Sequence, residues 1–144
     1  SFHLNVWPVL KKKYIDTGKV HFIYRELPAD PAAEAGFMLA RCAGNARWHN
    51  VIDLLYQTQA SWRQSSEPDD ALLSVMSRTG MAGRSFSSCL KDQDLRKQLD
   101  EVAADARRLG VTTSPAMVIN GTVYSGTHSL VRIENVLQEL VRQP

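Results

Sequence analysis

The chain of 144 residues reads as α/β in class and α+β by content. Three observations predict this. Apolar residues recur at helical spacing along most of the length. Short β-branched or aromatic runs stand at residues 20–24, 116–119 and 122–125. The two kinds of segment follow in the order helix, strand, block of helices, hairpin, helix. The crossover from residues 20–25 to residues 116–119 passes through helices, which predicts a parallel or mixed sheet with a helical insertion. Three strands do not make a complete sheet of that kind, so its middle is expected to be missing.

Each element has a local reason. Residues 1–17 place Phe2, Val6, Val9, Leu10 and Tyr14 at steps of three and four, which predicts a helix. Pro8 removes a backbone donor and is expected to kink it, and Gly18 is placed to end it in a left-handed cap. Val20 to Tyr24 predicts a buried strand, with His21 pointing away from the core. Asp30 as N-cap and Pro31 at the first helical position open the next helix, with Ala35, Met38, Leu39 and Cys42 on its apolar face and Gly44 at its end. A helix over 46–59 turns Trp48, Val51, Ile52 and Leu55 inward, and residues 61–68 read as a polar connection with Trp62 as a surface aromatic. Helices are expected at about 69–79, 83–91 and 92–109, the last with Leu95, Leu99, Val102, Ala106 and Leu109 in one stripe. Asn120-Gly121 between two β-prone runs is a strong hairpin signal, and Ser129 caps a closing helix that turns Leu130, Ile133, Leu137 and Leu140 inward.

Composition narrows the function classes. Hydrophobic residues make up 44% and charged residues 22%, the balance of a packed chain rather than a disordered one. A net charge of +2, scattered apart from Lys11-Lys12-Lys13, does not fit a nucleic-acid binder. The lysine run itself reads as a solvated helix end. No apolar run has the length of a membrane span, and no signal peptide stands at the start. The sequence has no initiator Met and opens in an apparent helix, the expectation for a mature, trimmed or fragmentary chain.

Few residues are candidates for chemistry. Cys42 and Cys89 are the only cysteines, each read on the inward face of its own helix. A structural disulfide and two unpaired buried thiols both fit that placement. Their wide spacing does not suit redox catalysis, and no Cys or His pair has metal-ligand spacing, so no metal and no cofactor are expected. Arg25 and Glu26 read as an ion pair at a strand end, and His49 and His128 as surface residues.

The motifs, taken in order, resemble a known family. Lys-Lys-Lys-Tyr-Ile-Asp-Thr-Gly-Lys-Val (11–20) runs into His-Phe-Ile-Tyr-Arg-Glu-Leu-Pro (21–28) and Asp-Pro-Ala-Ala-Glu-Ala (30–35). Ala-Arg-Cys-Ala-Gly (40–44), Ser-Cys-Leu-Lys-Asp (88–92) and Gly-Val-Thr-Thr-Ser-Pro-Ala-Met-Val-Ile-Asn-Gly (110–121) follow. Jointly these resemble the DsbA-like branch of the thioredoxin superfamily, in its α-proteobacterial form. The resemblance implies a thioredoxin-like fold with an inserted helical domain and with the first strand absent from this chain. It divides the chain into a partial thioredoxin domain (1–29), a helical insertion (30–92) and the rest of the thioredoxin domain (93–144).

The resemblance also implies a thiol–disulfide oxidoreductase acting in the periplasm on unfolded or reduced exported polypeptides, with a membrane redox protein as a further partner. In the family a Cys-x-x-Cys opens the first helix; this chain has none and begins Ser1-Phe2-His3, so no catalytic residue is assigned and the chain as given is expected to be inactive. Truncation of a complete enzyme and natural degeneration both account for that. Ser114 and Pro115 are the implied substrate-binding pair, with Pro115 cis where relatives often carry Val or Thr before it. His3 is the implied neighbour of the active site, against the alternative of a half-exposed helix histidine. Export favours the disulfide between Cys42 and Cys89. The alternative function is a redox-inactive peptide-binding or chaperone-like module on the same fold.

Overall fold

The computed structural model describes residues 2–81, 83–126 and 129–142. The chain forms two compact units, one of Ser1–Arg25 with Ala106–Pro144 and the other of Glu26–Asp105.

The first unit begins with α1 (Phe2–Asn5) and α2 (Trp7–Leu10), followed by one π-helical turn over Lys11–Ile15. The interruption falls at Val6 (φ −104°), just ahead of Pro8, which has no N–H to donate. Gly18 (φ +72°) ends the segment: its N–H donates to Ile15 O at 3.0 Å and that of Lys19 to Tyr14 O at 2.9 Å, the paired bonds of a Schellman cap.

Residues 20–24 are not a strand. Their burial alternates, with Val20, Phe22 and Tyr24 half-buried and His21 and Ile23 exposed, yet they join no ladder. Phe22 instead packs on Trp7, ring centroids 4.5 Å apart. A strand exists only through hydrogen bonds to a neighbour, which a favourable local pattern cannot supply. Among the described residues the sheet is therefore not parallel or mixed. It is one antiparallel pair, β1 (Ala116–Ile119) with β2 (Thr122–Ser125). Asn120 (φ +45°) and Gly121 (φ +84°) make the turn between them with both central residues left-handed, as Asn-Gly favours.

The unit closes with α9 (Leu130–Arg142). Ser129 Oγ accepts the Arg132 N–H at 3.3 Å, the expected cap. Leu10, Tyr14, Ile133 and Leu137 form the core of this unit, with Met117 and Ile119 of β1 packed against it.

The second unit holds α3 (Pro31–Cys42), α4 (Asn45–Gln57), α5 (Gln59–Arg63), α6 (Pro68–Ser77), α7 (Arg84–Leu90) and most of α8 (Gln93–Arg108). Asp30 caps α3 by accepting the Ala33 N–H at 2.8 Å. Met38, Leu39, Val51, Ile52, Leu72, Met76 and Leu99 are fully buried.

Two expectations fail in the helices. The polar connection contains α5, and Trp62 on it is buried rather than exposed, its Nε1–H donating to Leu55 O at 2.9 Å. An indole buries well once its one donor is satisfied, and here the acceptor lies seven residues back on α4. Leu109 is 62% exposed because α8 has ended before it.

Candidate functional site

α8 ends at Gly110 (φ +86°) in a second Schellman cap, with the Gly110 N–H on Arg107 O and the Val111 N–H on Ala106 O, both at 2.9 Å. Val111 is buried, while Thr112, Thr113 and Ser114 are exposed. The Ser114–Pro115 peptide bond is cis, and Pro115, half-buried, leads directly into β1. β1 has β2 on one side and, among the described residues, no partner on the other. The loop thus presents an exposed segment at the start of β1.

His3, on α1, belongs to the same unit and is 8% exposed, so the half-exposed alternative is set aside. An imidazole on a short first helix gains this burial from tertiary packing, which helical spacing alone does not reveal. His21 and His49 are exposed, and Ser1 and His128 lie outside the described residues.

The two cysteines are brought together. Cys42 at the end of α3 and Cys89 on α7 form a disulfide, S–S 2.14 Å and Cα–Cα 6.1 Å. Only Cys89 faces inward; Cys42 is exposed, a correction to its expected place on the inner face. It occupies the last residue of α3, where the apolar stripe has run out. The sequence separation of 47 gives a chain-entropy contribution of about 4 kcal/mol. Both cysteines of the sequence are consumed, so these 144 residues contain no free thiol.

Glu26 is 6% exposed and pairs with Arg41 rather than Arg25. The guanidinium binds in two-pronged fashion, Nε to Oε1 at 2.8 Å and Nη2 to Oε2 at 3.0 Å. The hydrogen bond that Arg41 donates to Glu26 raises the Arg41 pKa, against the opposing effect of burial. Arg25 is exposed while Glu26 is buried, and the partner comes from α3. Sequence reasoning missed Arg41, since its partner Glu26 lies 15 residues away.

Among the described residues no group of three or more His, Cys, Asp or Glu side chains gathers as a metal site, and no helix is long and apolar enough to cross a membrane.

Comparison with known proteins agrees with this architecture. A family model described as Thioredoxin matches residues 1–139. A "Putative protein-disulfide oxidoreductase" of Rickettsia felis is 27% identical, covering 99% of this chain and 51% of its own length. A "Probable disulfide bond formation protein D" of Bacillus cereus is 25% identical over 85% of this chain and 60% of its own length. The chain thus spans about half the length of the Rickettsia relative and somewhat more of the Bacillus one. The crystal structure of Wolbachia pipientis alpha-DsbA1 superposes with a TM-score of 0.84 at 27% identity, covering 97% of this chain and 77% of the Wolbachia chain.

Proposed function

Because the chain belongs to the thioredoxin family, as a DsbA-like member with the helical insertion, we propose that it is the substrate-positioning part of a thiol–disulfide oxidoreductase acting on exported proteins. The observation that carries this reading is the exposed Ser114 loop leading directly into β1. Residues 112–116 hold an unfolded or reduced polypeptide by main-chain hydrogen bonds, a mode that leaves sequence preference low. His3 lies among the residues near the reacting sulfurs, and a membrane redox protein is the partner that resets the whole protein.

The reaction requires a low-pKa thiolate and a resolving thiol close by. The 144 residues offer neither, since both cysteines stand in the Cys42–Cys89 bond. On this reading the exchange belongs to the whole protein and lies in the periplasm, and the chain by itself positions peptide without exchanging disulfides. The same bond favours a second reading, a redox-inactive peptide-binding or chaperone-like module.

Insulin reduction with dithiothreitol tests this. The 144-residue chain is expected to leave the precipitation rate at background, and the whole protein to accelerate it. Turnover by the 144 residues alone would overturn the division of labour proposed here. A whole protein that slows aggregation of an unfolded substrate without accelerating insulin precipitation would select the second reading.

A further inference from the structure

The first unit contains a cleft of about 380 Å³ that the peptide-positioning reading does not use. Lys13, Tyr14 and Lys19 line one wall, and Gln138, Val141 and Arg142 of α9 line the other. The walls are tied together by a 2.7 Å ion pair from Lys13 Nζ to Glu134 Oε1. Tyr14 is buried and Val141 half exposed, so part of the lining is apolar. We propose that this cleft is an anion site for a phosphomonoester carried on a short apolar stem.

The charge balance selects the ligand. Glu134 neutralises Lys13, whereas among the described residues Lys19 and Arg142 have no anionic partner. Two cations without an anionic partner among the described residues match the charge of a phosphomonoester, about −1.5 to −2 at pH 7, better than that of a single carboxylate. Arg142 adds a planar fork suited to phosphate oxygens, and Lys19 a point charge. The stem would lie over Tyr14 and Val141, with the Gln138 amide as a further donor.

The competing explanation is that these cations serve only to offset helix C-termini. The local hydrogen bonds speak against it for the first wall. Tyr14 O already accepts the N–H groups of Lys19 and Val20, and Lys13 O accepts the Thr17 hydroxyl at 2.7 Å. The carbonyls there need no cation.

The test is a titration of the isotopically labelled chain followed by amide chemical shifts. Phenyl phosphate is the probe, with benzyl alcohol as its neutral control. Vesicles of phosphatidylcholine containing phosphatidic acid form a second arm, which separates a soluble ester from a lipid headgroup as the source. Saturable shifts confined to residues 13–19 and 138–142 are expected with phenyl phosphate and not with the alcohol. Lys19→Gln with Arg142→Gln is expected to weaken binding about tenfold, two charge-assisted contacts being lost. Raising the salt into the range where surface charges are screened is expected to weaken it as well. Vesicle binding that the same pair of substitutions abolishes would place the phosphate on a lipid. Shifts that do not saturate, equal response to the alcohol, or unchanged affinity in the double variant would overturn the site. A double variant that loses melting temperature but keeps affinity would do so too, leaving the dipole explanation.

Discussion

In the helical unit, Met38, Leu39, Leu72, Met76 and Leu99 are wholly excluded from water. In the unit that carries the Ser114 loop, the best-covered aliphatic side chain, Ile133, still keeps 3% exposure, and Leu4, Ile23, Leu109, Val118, Val131 and Val141 stand out at 44–66%. Every large hydrophobic that is conspicuously exposed among the described residues belongs to this second group. The contrast has a topological cause. Helices bury their stripes against other helices within one stretch of chain, and here a disulfide fastens α3 to α7. A hairpin of two four-residue strands can cover one face of α9 but cannot complete a sheet. The helical unit buries its stripes fully, and the unit with the Ser114 loop keeps large apolar side chains exposed among the described residues.

Five experiments break or sharpen this contrast. Replacing both cysteines by serine should cost about 4 kcal/mol, read from urea unfolding by Trp62 fluorescence in the stapled unit. A loss within error would mean that the helical core closes without its staple. Leu99→Ala should cost about 3 kcal/mol, and Leu137→Ala, at 8% exposure in the unit with the Ser114 loop, visibly less. Equal costs would erase the distinction in packing. Glu26→Ala leaves Arg41 without its two-pronged partner and should cost about 2 kcal/mol, with a double-mutant cycle against Arg41→Ala reporting strong coupling.

Asp30→Ala should cost about 1 kcal/mol through loss of the α3 cap. The Ala33 N–H, and after it Arg63, hold the Asp30 pKa below its usual value against a burial effect that raises it. A folded pKa below the unfolded one makes this contribution complete above about pH 4 and lost as pH falls through the folded value. The wild-type advantage over Asp30→Ala should therefore shrink only under acid, and an advantage that shrank on going alkaline would refute the cap. Smallest of all, Val131→Thr should change stability by no more than about 0.5 kcal/mol, since 66% of that side chain is already in water. A large loss there would show that the unit with the Ser114 loop is covered after all.

Legibility followed the range of the interaction. The Asp30 cap, the Gly18 and Gly110 ends of their helices and the Asn120-Gly121 turn all depend on atoms a few residues away. The Val20 to Tyr24 run has the same local quality, and its alternating burial survives, but among the described residues it joins no strand ladder. Trp62 was misplaced because its acceptor lies back on the α4 helix, and Glu26 was paired with Arg25 because its actual partner, Arg41, sits 15 residues away. The Ser114 loop was singled out by resemblance alone; nothing in its composition distinguishes it from an ordinary proline loop. The cleft between Lys13 and Arg142 had no local signal, since its walls are more than a hundred residues apart in sequence.

By itself the amino-acid order determined where helices start and stop, where the hairpin turns and which faces are apolar, because capping, turn chemistry and periodicity act within a few residues. Tertiary structure alone decided that Cys42 reaches Cys89, that Glu26 takes Arg41, that residues 20–24 join no strand ladder among the described residues and that three cations line one cleft. Each of those outcomes needs two distant segments within a few ångströms of each other, and that distance is set by the packing of whole elements.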